Sequence, residues 1–506
     1  MKDYAMRIAI AVLCCTAVSA QAAVTISSKP TQNMNCASGV CTPTAKKAVL
    51  NVTDLTNLLA SGNVTVNTGT GSLAQQVEDI IVASGFNWAS ASSLTLDAYR
   101  SVTVNQPVAV NGIGAVALMT NDGGSSGVLL FGSKGSLSFL ATTNTLTING
   151  TAYALENSIA TLATAITANP SGAYALANSY DASQDGTYPA SPIATSLTGT
   201  VQGLGNAISN LSVTATTRRD RNTGLFADVA TTGMVANVHL HRLAFMVTSD
   251  RNRLVGGLVA TNEGVLFADS AAGSIVAKVG DAGGLVGANN GTITSSSANV
   301  SADASITGGL AAGNGGTIAL SQAAGPVKGY LAAGLVAINT PPGILSQCFA
   351  TGRVKGHSVS TEVTVGGLVA ENDEGEIENS YATGAVIGSS KSGDVDVFVG
   401  GLVGVNDTGL ESTSYSTGAV SVSGGVPLVG GFVGNDAGSS TTDYWDTTTS
   451  GTDDGVDNGN EPNVTGLTSQ QLQSGLPSGL DSTIWAENPN INNGFPYLIA
   501  NPPPKK

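Results

Sequence analysis

The sequence predicts an all-β chain folded as a right-handed parallel β-helix solenoid with one short side helix and end caps. The first observation is a motif of Gly-Gly, Leu or Phe, and Val or Ala, which begins at Gly256, Gly283, Gly308, Gly366, Gly400 and Gly430. A motif repeated every 20–50 residues or so is typical of a stacked solenoid. Second, runs of Val, Leu and Ile bounded by Gly and Asn indicate short strands separated by tight corners. Third, most copies begin 25 to 34 residues after the previous one, which is too short for a propeller blade, and charged helical periodicity is missing.

An Asn follows the aliphatic residue of the motif by four positions in several copies, as at Asn289, Asn314, Asn372 and Asn406. A second aliphatic residue comes shortly after this Asn, and we take it to be Ile377 in one copy and Leu410 in the next. Coils of a β-helix lie at the sheet spacing of roughly 4.8 Å, so equivalent side chains form ladders. We therefore expect each Asn to be an inward or corner ladder residue with a structural role.

The segment from Gly366 to Ile377, followed by Asn379 to Val386, resembles the GLUG repeat of bacterial surface proteins. Variants of its second half occur at 348–354 and 414–420. Four upstream segments resemble the filamentous-haemagglutinin-type exoproteins that carry these repeats, namely 88–104, 146–153, 172–177 and 203–213. Together the two resemblances cover most of residues 80 to 500. They imply a β-helix of the kind found in adhesins, although a shared fold does not establish a shared function.

The composition agrees with a long extracellular β structure. The chain has 506 residues, of which 64 are Gly, 11% are charged and 5% are aromatic. Few charges and few aromatic residues argue against a nucleic-acid partner. The net charge of −15 comes from 35 acidic and 20 basic residues, and it disfavours anionic polymers as general partners.

The N-terminus has the pattern of a secretory signal peptide over residues 1–22. Lys2 and Arg7 precede an apolar run from Ile8 to Val18, and small residues follow as far as Ala22. The apolar run is too short for a bilayer anchor of about 20 residues. We therefore expect a secreted or cell-surface product without a transmembrane anchor in the mature chain.

Three cysteines remain after removal of the signal peptide. Cys36 and Cys41 frame a short turn and are expected to form a disulfide in an oxidising compartment. The alternative is a metal site, for which no further Cys or His lies nearby in sequence. Cys348 stands where other copies have Ser380 or Ser414, and we expect it to be a small buried residue.

The mature chain divides into four predicted regions. Residues 23–80 form an N-terminal cap region, and 81–223 form irregular, haemagglutinin-like β-helix coils. One short amphipathic helix is expected between residues 153 and 169, because its aliphatic residues keep helical spacing and a Pro follows. The GLUG-repeat β-helix runs over 224–445. Residues 446–506 are expected to cover the last coil and to end in a disordered tail.

Carboxylates cluster near the middle of the repeats, at Glu371, Asp373, Glu374, Glu376 and Glu378, with Asp407 and Glu411 in the next copy. Stacking places Asp373 about one strand spacing from Asp407, so the two carboxylates are candidate ligands of Ca²⁺. The alternative is a solvated acidic turn. The cluster also motivates a second hypothesis for the function of this fold, that of a lyase or hydrolase acting on polysaccharides.

Arginines gather against this acidic background, at Arg218, Arg219, Arg221, Arg242, Arg251 and Arg253. Two of them, Arg221 and Arg251, each precede a repeat and lie one copy apart. Stacked guanidinium groups can bind the sulfate or carboxylate of a host or matrix glycan, so Arg218, Arg219, Arg221, Arg251 and Arg253 are the candidate ligand-binding residues. The alternative is two solvated loops that pair with Asp220 and Asp250.

The resemblance implies adhesion to a host-surface or matrix glycan or protein, without catalysis. We expect no cofactor, with calcium at Asp373 and Asp407 as the one candidate. Two alternatives stay open: a polysaccharide-active β-helix enzyme and a matrix scaffold without a defined receptor. Exoproteins of the two-partner type carry Asn-Pro-Asn near their start, whereas here Asn488, Pro489 and Asn490 lie near the C-terminus. An outer-membrane export partner is therefore an expectation from the resemblance alone, which the position of this motif does not support.

Overall fold

The structure is a computed structural model that describes residues 22–69, 77–216, 222–248, 254–457 and 461–504. The predicted signal peptide lies outside the described residues except for Ala22. Short strands dominate the described chain, and most of them pair in parallel register with the equivalent strand of the next coil. The prediction of an all-β parallel β-helix is confirmed.

Two sheets belong to the N-terminal part of the stack. Sheet A contains the strands Ala23–Ser27, Ala48–Asn51, Asp79–Val82, Val102–Val104 and Leu129–Phe131. Sheet B contains Phe86–Trp88, Pro107–Val110 and Ser136–Phe139. Since the strands from Ala23 onward already pair in register with later coils, the region 23–80 contributes coils to the stack as well as an end to it.

Two further sheets form faces of the repeat region. Sheet C also runs through the N-terminal part, and its strands are Met34–Ala37, Val40–Pro43, Val64–Asn67, Ser93–Asp97, Ala115–Met119, Thr145–Ile148, Thr151–Glu156, Ala173–Leu176, Thr200–Gln202, Met234–Ala236, Val265–Phe267, Thr292–Thr294, Thr317–Ala319, Ile344–Ser346, Glu376–Glu378, Leu410–Ser412 and Ser439–Thr441. Sheet D contains Phe226–Val229, Val259–Asn262, Val286–Asn289, Ala311–Asn314, Val336–Asn339, Val369–Asp373, Val403–Asp407 and Val433–Asp436.

Sheet E wraps the remaining side of the coils. Its strands are Tyr180–Asp181, Thr187–Tyr188, Ala207–Ser209, Ser212–Ala215, Asn222–Thr223, His239–Val247, Leu254–Gly256, Ser270–Gly283, Ser297–Gly308, Gln322–Ala323, Val327–Gly329, Leu331–Ala333, Phe349–Ala350, Val354–Gly356, Val363–Gly366, Tyr381–Ala382, Val386–Ser389, Asp396–Gly400, Tyr415–Ser416, Val420–Ser423, Val426–Gly430, Asp443–Asp446 and Val464–Leu467. A separate hairpin pairs Trp485–Ala486 with Tyr497–Leu498.

The predicted side helix is present as Ile159–Ala168, capped by the Ser158 hydroxyl, which accepts from the Thr161 N–H. It buries Ile159, Leu162 and Ile166. Leu155 lies within the span 153–169 predicted for the helix, but it belongs to the preceding strand, Thr151–Glu156.

The structure also contains two helices that the sequence analysis did not predict. Val52–Ser61 begins after Asn51, whose side chain accepts from the Thr53 N–H, and buries Leu55 and Leu59 on one face. Ser469–Leu472 is a single turn with a capping box between Thr468 and Gln471. The first was missed because its two buried leucines offer only one turn of helical spacing.

The third residue of the Gly-Gly motif fills the centre of each coil. Leu258, Leu285, Leu310, Leu335, Leu368, Leu402 and Phe432 are all fully buried. Leu335 reveals a copy that we had missed, because Ala333 replaces the first Gly of its motif. The second Gly has no room for a side chain: a Cβ on Gly367 would lie 2.0 Å from the Gly401 carbonyl oxygen of the next coil.

An asparagine ladder runs through the repeats inside sheet D. Each side-chain Nδ2 donates to Oδ1 of the Asn in the next coil at 2.7–3.2 Å, along Asn262, Asn289, Asn314, Asn339, Asn372 and Asn406. Asn406 then donates to Asp436 Oδ1 at 2.9 Å. All six amides are buried, so the predicted ladder role of the asparagines is confirmed.

A second ladder follows one corner of the coils. The side chain of each member accepts a hydrogen bond from the backbone N–H of the equivalent residue one coil earlier. The accepting side chains, at 2.8–3.2 Å, are those of Asp269, Ser296, Ser321, Ser380, Ser414 and Asp443. The residue before each member has a positive φ of 46–61°, a corner conformation that these hydrogen bonds help to hold. Cys348 occupies one position, is fully buried as expected, and donates its thiol to the Ile318 and Ser346 carbonyls.

The C-terminal segment 468–501, here called the strap, does not simply cover the last coil. It lies along the side of the stack over Phe349, Tyr381, Tyr415 and Tyr444, which belong to successive coils. Trp485 packs on two of these rings. The strap ends at Asn501, whose Nδ2 donates to the carbonyls of Ser321 and Gln347. In the tail that we expected to be disordered, residues 502–504 have no regular secondary structure, and 505–506 lie outside the described residues.

Replacing Asn339 by Ala is expected to destabilise the repeats by about 1–3 kcal/mol, because it leaves the buried amides of Asn314 and Asn372 without their ladder partner. The free energy of unfolding in urea, followed by circular dichroism and tryptophan fluorescence, measures this loss. Asn299→Ala is the matched control, since Asn299 is exposed and its replacement should change stability by less than about 0.5 kcal/mol. Equal effects of the two substitutions would contradict a structural role for the ladder.

Candidate binding surfaces

The five candidate arginines, Arg218, Arg219, Arg221, Arg251 and Arg253, lie outside the described residues. The strands that flank the two segments are in register: Ser212–Ala215 pairs with His239–Val247, and Asn222–Thr223 pairs with Leu254–Gly256. The two segments therefore connect equivalent strands of successive coils, one copy apart. A role for these arginines in ligand binding stays a prediction.

His239 lies between the arginine segments in the sequence, on the long strand His239–Val247 of sheet E. His239 is partly buried, and its Nδ1 lies 2.8 Å from the Ser270 Oγ of the next coil. Burial lowers the pKa of His239 to about 4, and the nearby His241 contributes to the shift. His239 is therefore neutral near pH 7 and acts as a hydrogen-bonding group within sheet E.

Asp373 and Asp407 are in register on adjacent strands of sheet D, as the stacking argument predicted. Both side chains are exposed at the corner of their coils. Within the described residues, no group of three or more His, Cys, Asp or Glu side chains is arranged to hold a metal ion. Calcium binding by this pair thus stays a prediction, with exposed acidic turns as the alternative.

Glu411 differs from the other carboxylates of the acidic cluster, because it points into the coil. It is in register with Ile377 on one side and Ser440 on the other, whereas Leu410 is exposed. Our assignment of Leu410 as the counterpart of Ile377 was therefore wrong. The carboxylate accepts hydrogen bonds from Asn406 Nδ2 at 2.6 Å and Asn372 Nδ2 at 3.3 Å, so it joins the asparagine ladder.

Burial raises the pKa of Glu411 well above its usual value, and the nearby Asp436 and Asp443 raise it further. Burial also raises the pKa of Asp443 to about 7, although the N–H groups of Ser414 and Thr441 oppose the shift. Both ladders thus end among buried carboxyl groups in the last coils.

A basic strip lies on the outer face of sheet E. Outward side chains of successive coils align there in register, in the order Met246, Val276, Asp303, Lys328, Lys355 and Ile387. On the strand of Lys355, the neighbouring outward residues Arg353 and His357 are also exposed. We define the basic strip as Lys328, Arg353, Lys355 and His357.

The contacts of the basic strip leave most of its charge in solvent. Lys328 Nζ lies 2.9 Å from Asp303 Oδ2, in a pair whose side chains are each about half exposed. His357 Nδ1 lies 3.2 Å from Ser389 Oγ. The sequence analysis missed this surface, although Val-Lys-Gly occurs at both Val327–Gly329 and Val354–Gly356 and alternates cationic and buried residues.

Cys36 and Cys41 form a disulfide in the structure, across an antiparallel pair of strands of sheet C. The pair therefore closes the hairpin formed by Met34–Ala37 and Val40–Pro43, near the first coils of the stack.

Comparison with known proteins identifies one motif in the chain. Residues 362–387 match the GLUG motif, and in the structure this segment runs through five consecutive strands, from Val363–Gly366 to the start of Val386–Ser389. No curated protein matches the sequence. In the described part of the chain, the helices are too short or too polar to cross a membrane. Fold and motif together define a β-helical protein that carries a GLUG repeat.

The buried carboxyl groups predict that the protein loses stability as pH rises. The folded chain holds the protons of Glu411 and Asp443 more tightly than the unfolded chain, so their contribution is complete below pH 4 and declines as pH rises through their folded-state pKa values. For Asp443 this window runs from its usual pKa of 3.8 to about 7. Tm should therefore fall between pH 5 and pH 8, by roughly 1 °C for each kcal/mol lost, because the entropy of unfolding grows with chain length.

Glu411→Gln keeps an acceptor for Asn406 and removes the titration, so its Tm should depend less on pH than that of the unmodified protein. Glu376→Gln is the control, because Glu376 lies outward on the neighbouring strand. Identical pH profiles for all three proteins, measured by calorimetry, would contradict the assignment of Glu411 as a buried proton-binding group.

Proposed function

We propose that this protein is exported and acts as an adhesin, which holds host-surface or matrix ligands on the outer faces of its β-helix without transforming them. The stack of coils provides a long, rigid surface whose outward side chains are set by strand register. The proposal extends the resemblance of the repeats to those of bacterial surface proteins, and the GLUG match at residues 362–387 supports it.

The observation that carries the proposal is the basic strip. In a chain with a net charge of −15, Lys328 and Lys355 are direct neighbours on adjacent strands, with Arg353 and His357 beside them. Strands in register bring Lys328 and Lys355 to a spacing of roughly 4.8 Å, which suits the repeated sulfate or carboxylate groups of a glycan. The flanking Met246 and Val276 add exposed apolar area to the same face.

Two features support export, one in the sequence and one in the structure. The first 22 residues combine basic residues, an apolar run and small residues in the order of a secretory signal peptide. The hairpin near the first coils contains a disulfide, and disulfides persist mainly in oxidising compartments outside the cytosol. An export partner in the outer membrane stays part of the proposal, as does the cell surface as the final location.

Replacing Lys328 and Lys355 together by Glu is expected to reduce retention of the mature protein on immobilised sulfated or uronate-containing glycans by about tenfold or more, which corresponds to about 1.4 kcal/mol. Binding by the unmodified protein should also weaken as salt is raised, because exposed charges are screened. A glycan and matrix-protein array, read for retained protein and for released sugar, measures both.

The matched control replaces Lys29 and Lys134, two exposed lysines in the N-terminal part, by Glu. It changes the net charge equally and should leave retention within about twofold. Release of reducing or unsaturated sugar by the unmodified protein would overturn the adhesin proposal in favour of a polysaccharide-active enzyme.

A further inference from the structure

A cavity of about 450 Å³ lies where the N-terminal part of the chain meets the repeats. One wall is the segment 126–130, which supplies Val128 and Leu130 from the end of sheet A. The floor is the outer face of sheet C, from Phe267 to Glu378. Its size falls in the range of about 300–1,000 Å³ that is common for ligand sites, and sites of this kind often lie between structural units.

The floor of this groove is built from two columns of outward side chains in register. Phe267, Thr294, Ala319, Ser346 and Glu378 form one column. Thr292, Thr317 and Ile344 form the other. The first column crosses four strand spacings, or roughly 19 Å. An extended polypeptide rises roughly 3.3 Å per residue, so about six residues span the groove.

The chemistry of the groove is apolar with regularly placed hydroxyl groups. Phe267, Leu130 and Ile344 offer apolar contact, while the threonines carry hydroxyl groups that both donate and accept, and the Ser346 hydroxyl, which donates to Glu378, can still accept. A peptide backbone presents donors and acceptors in alternation, which hydroxyl groups can match without a fixed orientation. A fatty-acid chain would leave these hydroxyl groups unpaired, and Phe267 alone offers little stacking area for a series of sugar rings.

The charge at one end of the groove restricts the ligand further. Glu378 lines the cavity, and its Oε1 accepts the Ser346 hydroxyl at 2.6 Å, which orients the carboxylate along the floor. Glu376, one column away on the same strand, does not line the cavity. A ligand that reaches this end therefore gains from a cationic group.

We propose that the groove binds an extended polypeptide segment of about six residues, with aliphatic side chains along the floor and a Lys or Arg at the Glu378 end. The site is distinct from the basic strip, which lies on sheet E and suits anionic ligands. The proposal stands independently of the adhesin proposal, because it rests on different residues and on the opposite charge.

The test uses the full mature chain and a fluorescein-labelled peptide of alternating valine and threonine, six residues long, that ends in lysine. Fluorescence anisotropy should show saturable binding, weaker by tenfold or more when the lysine is replaced by glutamate. Ala319→Trp fills the middle of the floor and should weaken binding of the lysine peptide by tenfold or more. Glu378→Lys should reverse the preference, so that the glutamate peptide binds better.

The matched control is Glu376→Lys, which adds the same charge one column away, outside the lining of the groove, and should leave the lysine peptide preferred. Circular dichroism and Tm establish that each variant is folded. If Ala319→Trp does not fold, the charge reversal at Glu378 alone tests whether the peptide binds in the groove. Peptide binding that neither variant changes would overturn the proposal. Dodecanoate or maltohexaose binding that Ala319→Trp abolishes, without peptide binding, would overturn it in favour of a lipid or glycan site.

Discussion

The hydrogen bond from one buried asparagine to the next is the constraint on which the repeat region depends. A buried amide without a partner is costly, so each coil from Asn262 to Asn406 must place its Asn directly above the last one. This requirement sets the register of sheet D, and through it the position of every outward side chain. The basic strip on sheet E and the floor of the groove on sheet C both inherit their geometry from this internal alignment.

The repeat spacing was sufficient to predict the β-helix, the asparagine ladder and the position of Cys348, because these features depend on contacts between equivalent residues of neighbouring coils. The surfaces were harder to predict. Lys328 and Arg353 are separated by a whole coil in sequence, and the groove combines segment 126–130 with strands more than a hundred residues later. A periodic sequence predicts which residues of successive coils stack on one another, but it does not predict which distant segment packs against the outside of the stack.

Departures from the repeat were the least predictable features and carry much of the chemistry. Glu411 occupies the inward position that Ile377 has in the preceding copy. Because the exposed Leu410 beside it is aliphatic, the sequence pattern favours Leu410 for that position. The sequence likewise predicts that the strap covers the last coil, since its composition resembles a terminal segment. Nothing in its sequence indicates which side of the stack it follows. Its partners are aromatic residues that repeat only from Phe349 onward.

The asparagine ladder also has a direction. All its amides donate toward the C-terminal coils, so their dipoles add along the stack much as peptide dipoles add along an α-helix. At the donor pole the last amide, that of Asn406, meets the Asp436 carboxylate, which has no N–H to pass the chain onward. At the opposite pole Asn262 Oδ1 is buried without a hydrogen-bond partner among the described residues. The array is thus polar as a whole: Asp436 ends it at the donor pole, and at the acceptor pole the preceding coil places Val229, which has no side-chain donor, against Asn262.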